Sequence, residues 1–112
     1  METSALLRSP PPDNEQLAAL TQRAVQAVFG RTPRWRYYGP TLGRVKSGDR
    51  LYCYTTEPAL NDRGCMRFAS WVYRVQRERV VLASRIVHHK LRRSAKARAY
   101  RLHSAHGRVR QN

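Results

Sequence analysis

Arg50-Leu51-Tyr52-Cys53-Tyr54-Thr55-Thr56 changes chemical character at every step. Successive side chains of an extended chain point to opposite faces, so Leu51, Cys53 and Thr55 fall on one side and Tyr52, Tyr54 and Thr56 on the other. The stretch predicts a strand with one aliphatic and one phenolic surface, ended by Pro58. Asn61, Asp62, Arg63 and Gly64 make a turn, after which residues 65–76 form the longest strand candidate, rich in the β-favouring Phe68, Trp71, Val72, Tyr73 and Val75. There Met66, Phe68, Ser70 and Val72 alternate with Arg67, Ala69, Trp71 and Tyr73, which suggests a core face and an aromatic, basic face.

Shorter extended pieces flank this pair. Residues 76–79 read as a tight hairpin into a strand at 80–84, and residues 34–38 as a short aromatic strand or a helix-to-strand connection, interrupted by Gly39 and Pro40. Residues 42–46 read as an edge segment before the turn at Ser47, Gly48 and Asp49. Further toward the N-terminus the period changes to that of a helix. After the prolines of residues 9–12, Asp13 is a good N-cap with Gln16 closing a capping box; Leu17, Leu20, Ala24, Ala27 and Val28 recur at helical spacing until Gly30. A helix is expected over about residues 14–29. A second is expected from Ser84 as N-cap to about His103 or His106, stopped by Gly107, with Val87, Leu91, Ala95, Ala99 and Leu102 as its apolar stripe.

The fold class expected is therefore α+β: a small antiparallel sheet of three to four strands flanked by an N-terminal helix and a basic C-terminal helix. Residues 1–12 read as a flexible segment, 13–106 as a single nucleic-acid-binding domain and 107–112 as a basic tail. The chain has 112 residues, room for one modest core.

Charge separates the functional classes. There are 22 Lys and Arg against 7 Asp and Glu, a formal charge of +15, and no acidic residue follows Glu78. Like charges a few ångströms apart raise the free energy of a fold, whereas phosphates convert that repulsion into counterion release and binding. A face that only kept the protein soluble would mix signs. Of the cations only Lys46, Lys90 and Lys96 are lysines, and the planar arginine fork suits bidentate phosphate contact and stacking on bases. The same composition argues against catalysis: the carboxylates are scattered, and no Ser/His/Asp arrangement, phosphate loop or dinucleotide fingerprint is present. No enzyme activity and no cofactor are expected. A metal is not expected either, since Cys53 and Cys65 lie far apart and His88, His89, His103 and His106 sit among cations. The two cysteines read as buried thiols of an intracellular chain, and no membrane association is expected because no long apolar stretch or secretory leader is seen.

Basic residues interleave with aromatics in Arg34, Trp35, Arg36, Tyr37 and Tyr38, and again in Trp71, Tyr73 and Arg74. Such rings stack on exposed bases, which a purely phosphate-binding surface does not need. Trp71 in mid-strand suits core packing, whereas Trp35, beside two arginines in a Pro- and Gly-bounded segment, suits burial and partial exposure equally and is the base-stacking candidate. A flat sheet carrying Tyr52, Tyr54, Thr56, Ser70 and Arg67 matches the wide, shallow minor groove of duplex RNA. DNA base reading favours Asn, Gln or Arg on a helix, and the second helix has Arg but no Asn or Gln before Gln111.

Several of these strings resemble the RNA silencing suppressors of tombusviruses and allied plant viruses. They are Trp35 with Arg36; Tyr52, Tyr54, Thr56, Glu57 and Leu60; Gly64 and Cys65 leading through Tyr73 to Val80; and the helix after Ser84. The resemblance implies a head-to-tail homodimer whose joined sheets form a saddle over a short RNA duplex, with tryptophans on its ends. This chain departs in having only Trp35 with Tyr37 or Tyr38 for end-capping, and in a far more basic last helix. A weaker resemblance, through Gly39-Pro40 and the basic run at 91–97, is to the αβββα double-stranded RNA-binding domain, although the stretch between the two motifs is longer here.

The expectation is thus a homodimeric viral protein that binds and sequesters double-stranded RNA and so suppresses RNA silencing, in the host cytoplasm or the nucleus. Its nucleic-acid-binding residues are expected to be Arg34, Trp35, Arg36, Arg67, Arg74, Lys90, Arg92, Arg93, Lys96, Arg98 and Arg101. A DNA-binding accessory or regulatory protein of a phage or plasmid is the main alternative, and an inhibitor docking on an acidic protein surface is a third.

Overall fold

In the computed structural model, which describes residues 14–41, 44–77 and 79–111, helix α1 (Asn14–Phe29) precedes six strands and a final helix. The strands are β1 (Trp35–Tyr38), β2 (Arg50–Thr55), β3 (Ala59–Leu60), β4 (Met66–Gln76), β5 (Arg79–Leu82) and β6 (Val87–His89); helix α2 is Arg92–Gln111. The class is α+β, but the antiparallel sheet has six strands where three to four were expected.

The extra strands come from interruption, not from width. β4 has 11 residues, long enough to carry two short strands along each edge. Val75 N donates to Asp49 O at 2.8 Å and Ala69 N to Thr55 Oγ1 at 2.9 Å, while Cys65 O accepts from Asn61 N at 2.9 Å, so the odd residues turn toward β2 and β3. Val72 turns the other way, accepting from Ala83 N and donating to Ser84 Oγ, each at 2.8 Å, toward the β5 and β6 edge. At the break on each edge a side-chain hydroxyl replaces a missing carbonyl. Thr55 Oγ1 and Ser84 Oγ thereby satisfy β4 amides that would otherwise be left without a ladder partner.

Ser84 is therefore a ladder patch and not the N-cap of a helix starting there. Val87 lies in β6 opposite Ser70, Leu91 precedes the helix, and α2 begins at Arg92 and continues through Gly107 to Gln111. The expected edge segment at 42–46 is also corrected: residues 42 and 43 lie outside the described residues, Arg44 N closes a turn onto Thr41 O, and Val45 is buried in the core without forming a strand. The expectations for residues 1–12 and for Asp13 as a cap fall outside the described residues.

Helix α1 spans the expected residues and ends where Gly30, at φ 73°, closes onto Gln26 O. Its buried line is Leu17, Thr21 and Val25, with Ala27 and Val28 exposed, and the Thr21 hydroxyl bonds back to Leu17 O at 2.8 Å. This line packs on Leu51, Cys53, Ala69, Trp71, Tyr73 and Val75. The alternate residues Tyr52, Tyr54 and Val72, with Tyr38 and Phe68 beside them, pack against Ala95, Ala99 and Leu102 of α2. Since adjacent strand residues face opposite ways, the two helices lie on opposite faces of the sheet. The phenolic face expected to be open to RNA is covered: Tyr52, Tyr54 and Ser70 retain 4, 6 and 0 % exposure. Both cysteines are free thiols, Cys53 in the core and Cys65 half-buried in the turn before β4.

Only small residues at positions 95 and 99 let α2 lie this close to the tyrosines. Enlarging Ala99 to Leu overpacks that contact and is expected to destabilise the fold by about 1–3 kcal/mol. The same change at exposed Ala97 should stay within about 0.5 kcal/mol. Urea unfolding of the two variants checks the contrast, and equal midpoints would contradict the placement of α2.

Candidate nucleic-acid interface

Where the first turns of α2 meet the β1 side of the sheet, a cleft of about 400 Å³ is lined by Arg36, Tyr54, Thr56, Arg92, Arg93 and Lys96. Strand alternation places Arg36 on the same face as Tyr38, and Tyr54 and Thr56 continue that face on the neighbouring β2 chain. The helix brings Arg92 and Lys96 onto one side, four residues apart, with Arg93 next to them. Ala95 and Ala99 on its underside seat the helix against the sheet, so these three cations stand beside Arg36 instead of above it.

The electrostatics of the cleft are one-sided. Among the described residues no carboxylate lines it, and no acidic residue stands in the first turn of α2 to offset the positive end of the helix dipole. A cation in that turn opposes the dipole by roughly 0.3–1 kcal/mol at an exposed site, a cost that a bound anion removes. Glu57, one residue beyond Thr56, is held in an ion pair by Arg31. Burial, followed by the neighbouring Tyr38, raises the Tyr54 pKa, with Arg36 and Arg92 pulling it down; the phenol is a proton donor at neutral pH. Four cations and two hydroxyl-bearing side chains thus converge on one opening, a set suited to phosphate oxygens.

No family model, characterised protein or solved structure matches this chain. Geometry and charge therefore carry the functional reading.

Of the expected binding residues, the fold brings Arg36, Arg92, Arg93 and Lys96 together. Lys90 is exposed in the bend before α2, and Arg101 is exposed further along the helix. Arg74 is exposed opposite Arg50, four strand positions from the Tyr54 register and so about 13 Å along the sheet. Arg34 is exposed just before β1, its carbonyl bonded by Thr56 N. Arg67 is half-buried on the alternate face of β4, with its guanidinium donating to Met66 O at 2.9 Å. Trp35 is half-buried against the α1-side core, 6.2 Å from the Tyr37 ring, so the indole and Arg36 face opposite sides of β1.

Arg98 has structural work. Its Nη1 donates to Ser70 Oγ at 3.0 Å and to Ser70 O at 3.4 Å, and His89 Nε2 meets the same Oγ at 2.9 Å. Burial, then Arg85 and Arg101, lower the Arg98 pKa without displacing it from the cationic form at neutral pH. Sequence reading singles out Tyr38 in the basic-aromatic run but misses Tyr100 and His103 as its neighbours. Tyr38 stacks on Tyr54 at 5.7 Å and on His103 at 6.0 Å, and meets Tyr100 edge-on at 5.5 Å. The available clue was an aromatic four residues after Lys96 on an otherwise basic helix.

Burial first, then the charges of Arg98, Arg101 and His88, hold the His89 pKa below its ordinary value of 6.5. The unfolded chain takes up this proton at a pH where the folded chain resists it, so the contribution is complete above the unfolded value and declines as pH falls through it. Thermal unfolding followed between about pH 7.5 and about pH 5.5 should show falling stability, and His89→Gln should flatten part of that fall. An unchanged profile in the variant would remove His89 from this role.

Proposed function

We propose that this protein binds double-stranded RNA through its phosphate backbone and sequesters it, an activity that in a plant virus suppresses RNA silencing. The observation that carries the reading is the cleft in which Arg36 of β1 meets Arg92, Arg93 and Lys96 of α2 with no carboxylate among its lining residues. The surface differs from the one expected. Cations at the mouth of a helix replace the phenolic sheet face, and contact is to phosphate oxygens. Duplex RNA suits such a surface because its recognition rests on shape and on phosphates flanking the minor groove, with little base reading. The sequestering reading also includes homodimers, for which the outer edge of β1 offers a route, since it has no partner strand among the described residues.

One observation favours DNA as a second reading. The exposed side of α2 carries Arg93, Ala97, Tyr100 and Arg101 as a ridge, and a ridge of this kind fits the wide major groove of B-DNA, not the narrow one of RNA. It lacks Asn and Gln for reading adenine, so any DNA binding through it would be weakly sequence-dependent.

Filter binding of duplex RNA, duplex DNA of the same length and single-stranded RNA at several salt concentrations separates these readings. RNA duplex is expected to compete best, with log K falling linearly against log salt. Replacing Arg36, Arg92, Arg93 and Lys96 together by Gln should make that slope shallower by about 0.9 for each phosphate no longer neutralised, whereas Arg74→Gln should change it less. Preference for duplex DNA would select the second reading. Indifference of the parent protein to every polynucleotide would overturn both.

A further inference from the structure

Tyr100 is 55 % exposed on a helix whose other exposed side chains are mostly cationic. A phenol ring left half in water there lies beside an organised aromatic column. The Tyr100 ring meets Tyr38 edge-on, and the Tyr38 ring stacks on Tyr54 and on His103 at interplanar angles of 30° and 20°. The column leads into the cleft, because Tyr54 is part of the cleft lining and Tyr38 sits two residues beyond Arg36 on the same face of β1. On α2, Tyr100 follows Lys96 by one turn on the same side, an axial rise of roughly 6 Å. A phosphate-binding set and an accessible ring backed by other rings are thus separated by about one nucleotide.

We infer that Tyr100, held by Tyr38, is a stacking platform for an unpaired base whose phosphate occupies the Arg36, Arg92, Arg93 and Lys96 cleft. The inference rests on the proposed phosphate-binding role of that cleft and specifies its ligand further. A base inside a duplex has both faces covered by its neighbours, so the platform takes a nucleotide that has left the stack, and the favoured ligand is a duplex bearing a single-stranded extension. Stacking on an aromatic ring tolerates any base because every base has a π-face. The extension is therefore recognised without regard to its sequence. Trp35, the ring that sequence reading assigns to stacking, packs on the other side of β1 and takes no part.

Fluorescence anisotropy with the full chain and three labelled RNAs tests this: a blunt duplex, the same duplex with a short single-stranded extension, and one whose extension carries abasic sites. The abasic extension adds phosphates without bases. The parent protein is expected to bind the extended duplex about tenfold more tightly than the blunt one, the size of one base–aromatic stack. The abasic extension should give little of that gain. Tyr100→Ala should abolish the gain while leaving blunt-duplex affinity within about twofold, and Tyr100→Trp should keep or enlarge it.

Equal gain from the abasic extension would overturn the inference, as would a gain that survives in Tyr100→Ala. An equal loss on all three ligands in Tyr100→Ala would assign the ring to packing on Tyr38 and overturn it too. Salt-sensitive binding of blunt duplex by the parent, with no gain from any extension, would sink the stacking platform while leaving the phosphate cleft standing. Failure to bind any of the three RNAs would remove both.

Discussion

The seating of α2 on the tyrosine face of the sheet is the constraint on which the other features depend. Ala95 and Ala99 are fully covered by Tyr52, Tyr54 and Val72, and a helix that presents only methyl groups approaches a sheet closely. Close approach sets the height of the cations on its flanks. Arg92, Arg93 and Lys96 therefore reach the level of Arg36, and the four enclose a cleft instead of radiating from a surface. It also brings rings together, since Tyr38 and Tyr52 of the sheet meet His103 of α2, and Tyr52 meets His106. Arg50 adds a polar anchor at the far end, 3.0 Å from His106 Nδ1, and Arg98 adds one in the middle through Ser70.

A sheet covered on both faces by helices has a defined use for its central strand. β4 pairs along both edges and supplies Trp71, Tyr73 and Val75 to one core and Val72 to the other. Its long run of β-favouring residues is thereby explained without an exposed binding face. The Phe29 and Tyr73 rings both meet the Trp71 indole edge-on, at 5.4 and 5.8 Å, and the first of these contacts ties α1 to this strand. Burial well removed from water, with Cys53 nearby, raises the Tyr73 phenol far above its ordinary pKa and keeps it neutral.

Much of this was legible in the residues, and the failures have a common cause. Strict alternation at Arg50–Thr55 and the turn chemistry of Asn61 to Gly64 placed β2 and β4, and Gly30 marked the end of α1. The segment before α2 was misread because Val87 and Leu91 stand eight and four residues before Ala95, so a helical period runs through it by coincidence. Pairing of Val87, His88 and His89 with the free edge of β4 outweighed that local period, as long-range ladders commonly do. The phenolic face was misjudged for a related reason. Alternation reveals two faces but does not say what covers them, and a stripe of alanine on a charged helix gives a weak apolar signal. The cation cluster was partly legible because Arg92, Arg93 and Lys96 are neighbours in sequence. The choice of Arg36 over Arg67 as their companion depends on the strand face, which only the tertiary structure settles.

The charge imbalance now has a location. Positive charge at the first turn of a helix, on a chain with no acid after Glu78, acts against folding at the same place where an anion would act for it. A ligand that binds only the folded chain stabilises it in proportion to the logarithm of its concentration over the dissociation constant. The stretch of α2 proposed to meet phosphate also supplies Ala95 and Ala99 to the sheet, so occupancy of the cleft by an anion would be thermodynamically linked to helix docking. Salt acts in opposite directions on the two sides of that linkage. It screens the repulsion among Arg36, Arg92, Arg93 and Lys96 in the free protein, while it removes the counterion-release gain that a polyanion supplies. The free protein is therefore best served by high ionic strength and the proposed polyanion complex by low, an opposition that follows from placing four like charges around one cleft.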